Sequence, residues 1–92
     1  MRVHFYATLR AAVGQKAVDL PLAEGTCVQE LALAIAHRWP ELAEQLIDAE
    51  GEISRQIHFM IDGRNIRWLP QGSATKLYDK NVIDVFPPTA GG

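Results

Sequence analysis

The feature that most constrains this fold is a single amphipathic helical segment standing between two groups of alternating segments. Its apolar stripe follows helical spacing and consists of Val28, Leu31, Ala32, Ile35 and Trp39. Thr26 is the expected N-cap, and Gln29 three residues later can return a bond to it as in a capping box. The Trp39-Pro40 pair predicts the helix end, because the residue before proline avoids the αR conformation.

The segments on either side of this helix alternate between apolar and polar residues, a pattern typical of half-buried strands. Before the helix, strands are predicted at residues 2–8 and 18–20, with a break at Gly14. After it, strands are predicted at residues 57–61, 65–68 and 82–86, the first two joined by a turn at Asp62-Gly63. Shorter helical pieces are predicted at residues 42–47 and 76–81.

This order of elements predicts an α+β fold in which one helix covers one face of a mixed four- to five-stranded sheet. The last strand is expected to pair in parallel with the first, in the sheet's centre. The fold class is a β-grasp roll, with a domain at residues 1–86 and an extended tail at residues 87–92. The predicted core consists of Val3, Phe5, Val18, Phe59, Ile61, Ile83 and Val85 packed against Leu31 and Ile35.

Composition narrows the classes of function. The 92 residues carry nine basic and eleven acidic side chains, for a net charge of −2 without a long run of either sign. That balance provides no electrostatic footprint for nucleic acid or for an anionic membrane. No segment has the apolar length of a signal peptide or a membrane span, and a lone Cys27 fits a reducing compartment. We expect a cytoplasmic protein.

The last residues of the chain suggest a functional end. Gly91 and Gly92 leave no side-chain bulk beside the terminal carboxylate, so the tip can enter a slot too narrow for other residues. Pro87 and Pro88 fix φ and favour a stiff, extended stem. The plain alternative is a frayed terminus, and the glycines alone do not decide between the two.

A second candidate region is the sheet face opposite the helix. Strand parity sends Tyr6, Met60, Val82 and Phe86 to that face, which one helix cannot cover as well. Contiguous exposed apolar residues indicate a docking surface. The alternative is a loop folded over them.

For the other reactive side chains, the sequence gives weaker support for a functional role. Cys27 has no histidine or second cysteine nearby in sequence, so a structural role is favoured. His4, His37 and His58 lack metal-ligand spacing, and the first and last are expected on the outer sheet face. Arg64 and Arg67 fit either a solvated hairpin or contacts with a partner's carboxylates.

The tail and the order of elements together resemble the ubiquitin-like sulfur-carrier family (the MoaD/ThiS group), most closely the small subunit of molybdopterin synthase in its longer, archaeal-type form. The ending Phe86-Pro87-Pro88, followed after two residues by Gly91-Gly92, is the most specific match. The remaining matches are Val3 to Ala7, Arg10, Gly14, Gly25-Thr26, Val28, Leu31, Asp62 to Arg67 and Leu77. Two positions depart from the family pattern, Asp79-Lys80-Asn81 at a turn and Thr89 in the tail.

The resemblance implies a chemistry for Gly92. Its carboxylate is adenylated by a MoeB/ThiF-like activating enzyme, which uses ATP and Mg²⁺, and a persulfide donor then supplies sulfur to form a thiocarboxylate. The molybdopterin synthase large subunit receives the tail, with Phe86, Pro87, Pro88, Tyr6, Met60, Arg64 and Arg67 as expected partner contacts. The chain itself binds no cofactor or metal in this scheme and is a sulfur-donor subunit rather than an enzyme alone.

Three alternatives remain open. A ubiquitin-like modifier joined through Gly92 to lysines needs the same adenylated diglycine. Sulfur carriers of this fold also serve thiamine, cysteine or tRNA-thiolation pathways. A plain binding module with an idle terminus is the third alternative, and it predicts that deleting Gly91 and Gly92 leaves binding intact.

Overall fold

A computed structural model describes residues 1–88. Five strands form one sheet: β1 Arg2–Phe5, β2 Ala17–Asp19, β3 His58–Ile61, β4 Arg64–Asn65 and β5 Ile83–Phe86. Three α-helices accompany it: α1 Ala7–Val13, α2 Val28–Arg38 and α3 Ala43–Leu46. Short 3₁₀ helices span Pro40–Leu42, Ile66–Trp68 and Gly72–Ala74.

The sheet order is β2-β1-β5-β3-β4, which confirms the predicted β-grasp arrangement. The first and last strands pair in parallel, whereas the other three pairings are antiparallel. A parallel pair requires a long crossover connection, and the chain between β1 and β5 includes α2. The last strand therefore lies in the centre of the sheet, with a hydrogen-bonded neighbour on each side.

Every predicted core residue is buried. The hydrophobic core also contains residues from the helices and from the loops between elements. These additional buried residues are Leu9, Leu20, Val28, Ala32, Leu42, Leu46, Ile57, Ile66 and Leu77. The rings of Trp39 and Phe5 pack in a T-shaped arrangement, with centroids 5.5 Å apart. The alternation of the strands and the helical stripe thus identified which side of each element faces the interior.

The first strand is shorter than predicted. β1 ends at Phe5, and residues 7–13 form α1 instead of continuing the strand to residue 8. Ala7 takes a positive φ of 52°, which breaks the extended chain. Leu9 is then fully buried, and Gly14, in the left-handed conformation, closes the helix by donating its N–H to the Arg10 carbonyl at 2.8 Å. The chain therefore forms a helix that buries Leu9, although the apolar-polar alternation continues through residues 6–8.

The start of α2 lies one residue later than predicted. Cys27 is the N-cap, and its N–H donates to the Glu30 carboxylate at 3.0 Å. This contact lowers the pKa of Glu30. The Thr26 hydroxyl instead donates to the Ala23 carbonyl at 2.7 Å, and the Gln29 amide donates to the Gly51 carbonyl at 2.7 Å. The helix end before Pro40 is confirmed.

Two smaller predictions need correction. The strand predicted at residues 65–68 is β4, which covers only Arg64–Asn65, because Ile66–Trp68 coils into a 3₁₀ helix that buries Ile66. The helical turn predicted at residues 76–81 is a single turn closed by Asn81, whose N–H donates to the Tyr78 carbonyl at 2.9 Å. A 3₁₀ helix occurs earlier, at Gly72–Ala74.

Candidate functional site

The root of the tail is held by the centre of the sheet. In β5, Val85 lies between Phe5 on β1 and Phe59 on β3. Phe86 is the last strand residue and pairs with His58. Pro87 is buried, and Pro88, the last described residue, is exposed. The predicted reactive residues Gly91 and Gly92 lie outside the described residues.

The beginning of β5 is fixed by the β3–β4 turn. Asp62 and Gly63 both have positive φ, 52° and 81°, as the predicted tight turn requires. The Asp62 carboxylate accepts from the Val82 N–H at 2.7 Å and from the Asn81 amide at 2.8 Å. The bond from the Val82 N–H, more than any other contact, lowers the pKa of Asp62. The central strand is therefore tied at both ends.

The sheet face opposite α2 carries a row of side chains across three strands. His4 on β1 is in register with Asp84 on β5, and Asp84 is in register with Met60 on β3. The next row brings Phe86 beside His58. We call this surface the open face. As predicted, His4 and His58 lie on it. Tyr6, Met60 and Phe86 also lie there, but they are half-buried and not exposed as the prediction had them.

Tyr6 and Phe86 form an aromatic pair on the open face. Their rings are stacked, with centroids 4.2 Å apart and planes 14° from parallel. The Arg10 guanidinium lies 5.3 Å from the Tyr6 centroid, and its Nε donates to the Phe5 carbonyl at 2.9 Å. A cation over an aromatic face is attracted by the ring quadrupole. The pair thus forms an ordered apolar surface at the tail's root.

Asp84 makes the open face more polar than the sequence pattern suggested. Its carboxylate accepts from the Tyr6 hydroxyl at 2.9 Å and lies 3.7 Å from His4 Nδ1. The hydrogen bond to Asp84 raises the pKa of the Tyr6 hydroxyl. The signal that could have located this group is an acid in the middle of the predicted central strand, flanked by Ile83 and Val85.

The remaining predicted partner contacts lie beside the open face or at its margin. Val82 is 51% exposed at the start of β5. Arg64 and Arg67 are exposed on β4 and the following 3₁₀ helix, whereas Asn65 between them shares a hydrogen bond of 3.1 Å with His58. Arg64 therefore lies on the predicted hairpin, whereas Arg67 lies on the 3₁₀ helix after it, and neither arginine joins the Tyr6–Phe86 pair.

The other reactive side chains do not come together. Cys27 is a half-buried free thiol at the N-cap of α2. Within residues 1–88, no group of three or more histidine, cysteine or acidic side chains has the arrangement of a metal site. In the same range, no helix combines the length and apolar character needed to cross a membrane.

Comparisons with known proteins agree with this geometry. The small archaeal modifier protein 3 of Haloferax volcanii is 33% identical over 92 residues, which cover 100% of this chain and 98% of that protein. The solution structure of the HVO 2177 protein of Haloferax volcanii superimposes with a TM-score of 0.83 at 33% identity, covering 99% of this chain and 84% of the other.

A second solved structure shows the same arrangement. The small archaeal modifier protein 1 of Methanosarcina acetivorans has a TM-score of 0.83 at 29% identity, over 99% of this chain and 94% of that one. The family model described as the ThiS family matches residues 3–92. With this match and a relative 33% identical over its whole length, the chain belongs to the ThiS family of ubiquitin-like sulfur carriers and modifiers.

Proposed function

We propose that this chain is a sulfur carrier for molybdopterin synthesis, acting as the small subunit of molybdopterin synthase through Gly92. The observation that carries the proposal is the position of the tail's root. This segment, Phe86-Pro87-Pro88, continues the central strand of the sheet, which has a paired neighbour on each side. A terminal carboxylate on such a base can be presented to a partner at a defined place.

The chemistry follows from the weak reactivity of a carboxylate. The Gly92 carboxylate attacks the α-phosphorus of ATP on a MoeB/ThiF-like activating enzyme, and pyrophosphate leaves. The terminal sulfur of a persulfide donor then displaces AMP, and a second thiol cleaves the resulting S–S bond to release the thiocarboxylate. Its sulfur is ionised at neutral pH and is therefore nucleophilic. ATP and Mg²⁺ belong to the activating enzyme.

The open face supplies the docking surface in this proposal. Tyr6 and Phe86 offer a stacked apolar pair at the tail's root, and Met60 extends it onto β3. Aromatic side chains are the common anchors of protein interfaces. Arg64 on β4 and Arg67 on the following 3₁₀ helix are exposed, and they can meet carboxylates of the large subunit or the activating enzyme.

A protein-modifier role is the second candidate function, and one relative supports it. The curated relative at 33% identity carries the name of a modifier protein. In that role the adenylated Gly92 is transferred to a lysine amine on a target protein, forming an isopeptide bond. Sulfur carriage for thiamine, cysteine or tRNA thiolation uses the same activated terminus with a different acceptor.

Intact-mass analysis separates these roles. The full chain is incubated with the activating enzyme, ATP and a persulfide donor, beside a control that lacks Gly91 and Gly92. Replacement of one oxygen by sulfur in the full chain alone supports the carrier role. Ladders of larger adducts in a cell extract support the modifier role. An unchanged mass for both proteins contradicts both roles, and the binding module is then the remaining alternative. Transfer of the sulfur to a pterin precursor by the large subunit tests the specific pathway.

A further inference from the structure

A second surface near the tail has the features of a binding site. A groove of about 430 Å³ lies between the segment before β3 and the 3₁₀ helices that follow β4. Its size falls within the range of about 300–1,000 Å³ typical of ligand sites. Ile53, Ile57 and Ile66 line it, and the last two are almost completely buried. The groove thus has an apolar floor that is part of the protein core.

The polar rim of the groove is predominantly basic. Arg55 and Arg67 line it from opposite walls, with Glu52 as the acidic residue of the lining and the hydroxyl residues Ser54 and Ser73 beside them. Both arginines are exposed, and within residues 1–88 neither guanidinium forms an ion pair. Two cationic groups therefore face one apolar floor in a chain whose net charge is −2.

Both walls are held by hydrogen bonds, so the groove exists before any ligand binds. In the first wall, Asp48 Oδ1 accepts from the N–H groups of Glu50 and Glu52, each at 2.9 Å, and the Ser54 N–H donates to the Leu46 carbonyl at 2.8 Å. In the second wall, the Asn65 side chain accepts from the Arg67 N–H at 3.0 Å. A preformed site avoids much of the entropy cost of ordering on binding.

The groove also lies close to the tail's root along the sheet. His58, the first residue of β3, pairs with Phe86, the last residue of β5. Ile57 in the groove floor immediately precedes His58. The groove floor is therefore one residue along the chain from the position that pairs with the tail's root.

We propose that this groove binds an extended partner segment in which aliphatic side chains alternate with carboxylates. The isoleucine floor takes an aliphatic side chain, and Arg55 and Arg67 take flanking carboxylates. A free phosphate would leave the apolar floor uncovered, whereas an extended peptide sends alternate side chains to opposite sides and reaches both rim and floor. The proposal does not depend on sulfur chemistry at Gly92.

The test uses two blocked peptides and the ¹⁵N-labelled full chain. The probe is acetyl-Glu-Val-Asp-Val-Glu-amide, and its control replaces each acid by the matching amide, giving acetyl-Gln-Val-Asn-Val-Gln-amide. The acidic peptide should shift the amide resonances of Ser54, Arg55 and Arg67, and the control should bind at least about fivefold more weakly. Equal binding of the two peptides would overturn the proposal, as would shifts confined to His4 and Met60 on the open face.

Charge-reversal variants and phosphate complete the test. Arg55→Glu and Arg67→Glu should each weaken binding of the acidic peptide by about fivefold or more. The matched control Lys16→Glu, in the exposed bend before β2, should leave it unchanged. Equal weakening by Lys16→Glu would indicate a general charge effect and contradict the assignment. If inorganic phosphate at the same concentration reproduced the full set of resonance shifts, the groove would be a simple anion site, and the peptide proposal would be wrong.

Discussion

The hydrogen bond between Tyr6 and Asp84 gives the most direct test of how the open face is held together. Tyr6→Phe removes the hydroxyl and retains the ring that stacks on Phe86. Asp84→Asn retains the shape of the side chain and removes the charge. Together with the wild type and the double variant, these proteins form a double-mutant cycle. Because the asparagine amide oxygen can still accept from the Tyr6 hydroxyl, the cycle isolates the part of the interaction that depends on the charge of Asp84.

The structure sets the expected size of the coupling. A hydrogen bond to a charged group contributes about 1.5–3 kcal/mol when well shielded. The Asp84 side chain is 17% exposed and Tyr6 is half-buried, so water screens part of this contribution. We therefore expect a coupling of about 1 kcal/mol. The loss of the nearby His4 contact in Asp84→Asn occurs in the single and the double variant alike, so it cancels.

Urea unfolding of the four proteins at pH 7 measures this coupling. The m-values should agree, since none of the changes alters the surface exposed on unfolding. A coupling below about 0.3 kcal/mol, which is within ordinary additivity error, would refute the reasoning. Titration gives an independent check. Because the folded protein raises the pKa of Tyr6, the wild type's advantage over Tyr6→Phe is full below the unfolded pKa of about 10 and falls as pH rises above it.

The remaining predictions concern the core, the open face and the turn before β5. Phe59→Ala removes a fully buried ring and should lower the free energy of unfolding by about 3–5 kcal/mol in thermal melts; an unchanged melt would mean that the core face is misassigned. Phe86→Arg should leave the fold largely intact and weaken binding to the large subunit or the activating enzyme, and normal binding in a pull-down would exclude the open face as the docking surface. Asp62→Asn should cost about 0.5–1 kcal/mol at pH 7, because the new amide meets the Asn81 amide. Since the folded pKa of Asp62 is lowered, this difference is full above the unfolded pKa of about 3.9 and should shrink as pH falls through the folded pKa; a difference that does not change between pH 7 and pH 2.5 would contradict the role of the carboxylate.

Alternation was a sufficient guide to the core but not to the ends of elements. Strand parity placed Phe5, Phe59 and Val85 inside because each strand is half-buried, and a buried face has a period of two residues. The end of β1 depended on Ala7, whose positive φ has no signature in its side chain. The only local signals for α1 were Leu9 and the closing Gly14, too few to outweigh the alternation before them.

The contacts of Asp84 could not be judged from its own strand, although an acid in the predicted central strand marked the position. A carboxylate at the middle of a predicted central strand is unfavourable in isolation, because burial disfavours its charged form. Its hydrogen-bond donor, Tyr6, is 78 residues away in sequence and reaches it only through the parallel pairing of β1 with β5. The groove was missed for a related reason, since Arg55 lines it from a loop and Arg67 from a short 3₁₀ helix that the sequence pattern did not indicate.

The way the central strand is anchored explains how a tail of small residues can be presented reliably. The Asp62 turn holds the start of β5, the paired strands hold its length, and the Tyr6–Phe86 stack with buried Pro87 holds its end. Displacing the root therefore requires breaking several of these contacts together. In the proposed function, a partner that docks on the open face needs only to bind a surface that is already ordered, and its binding energy remains available for enclosing the tail.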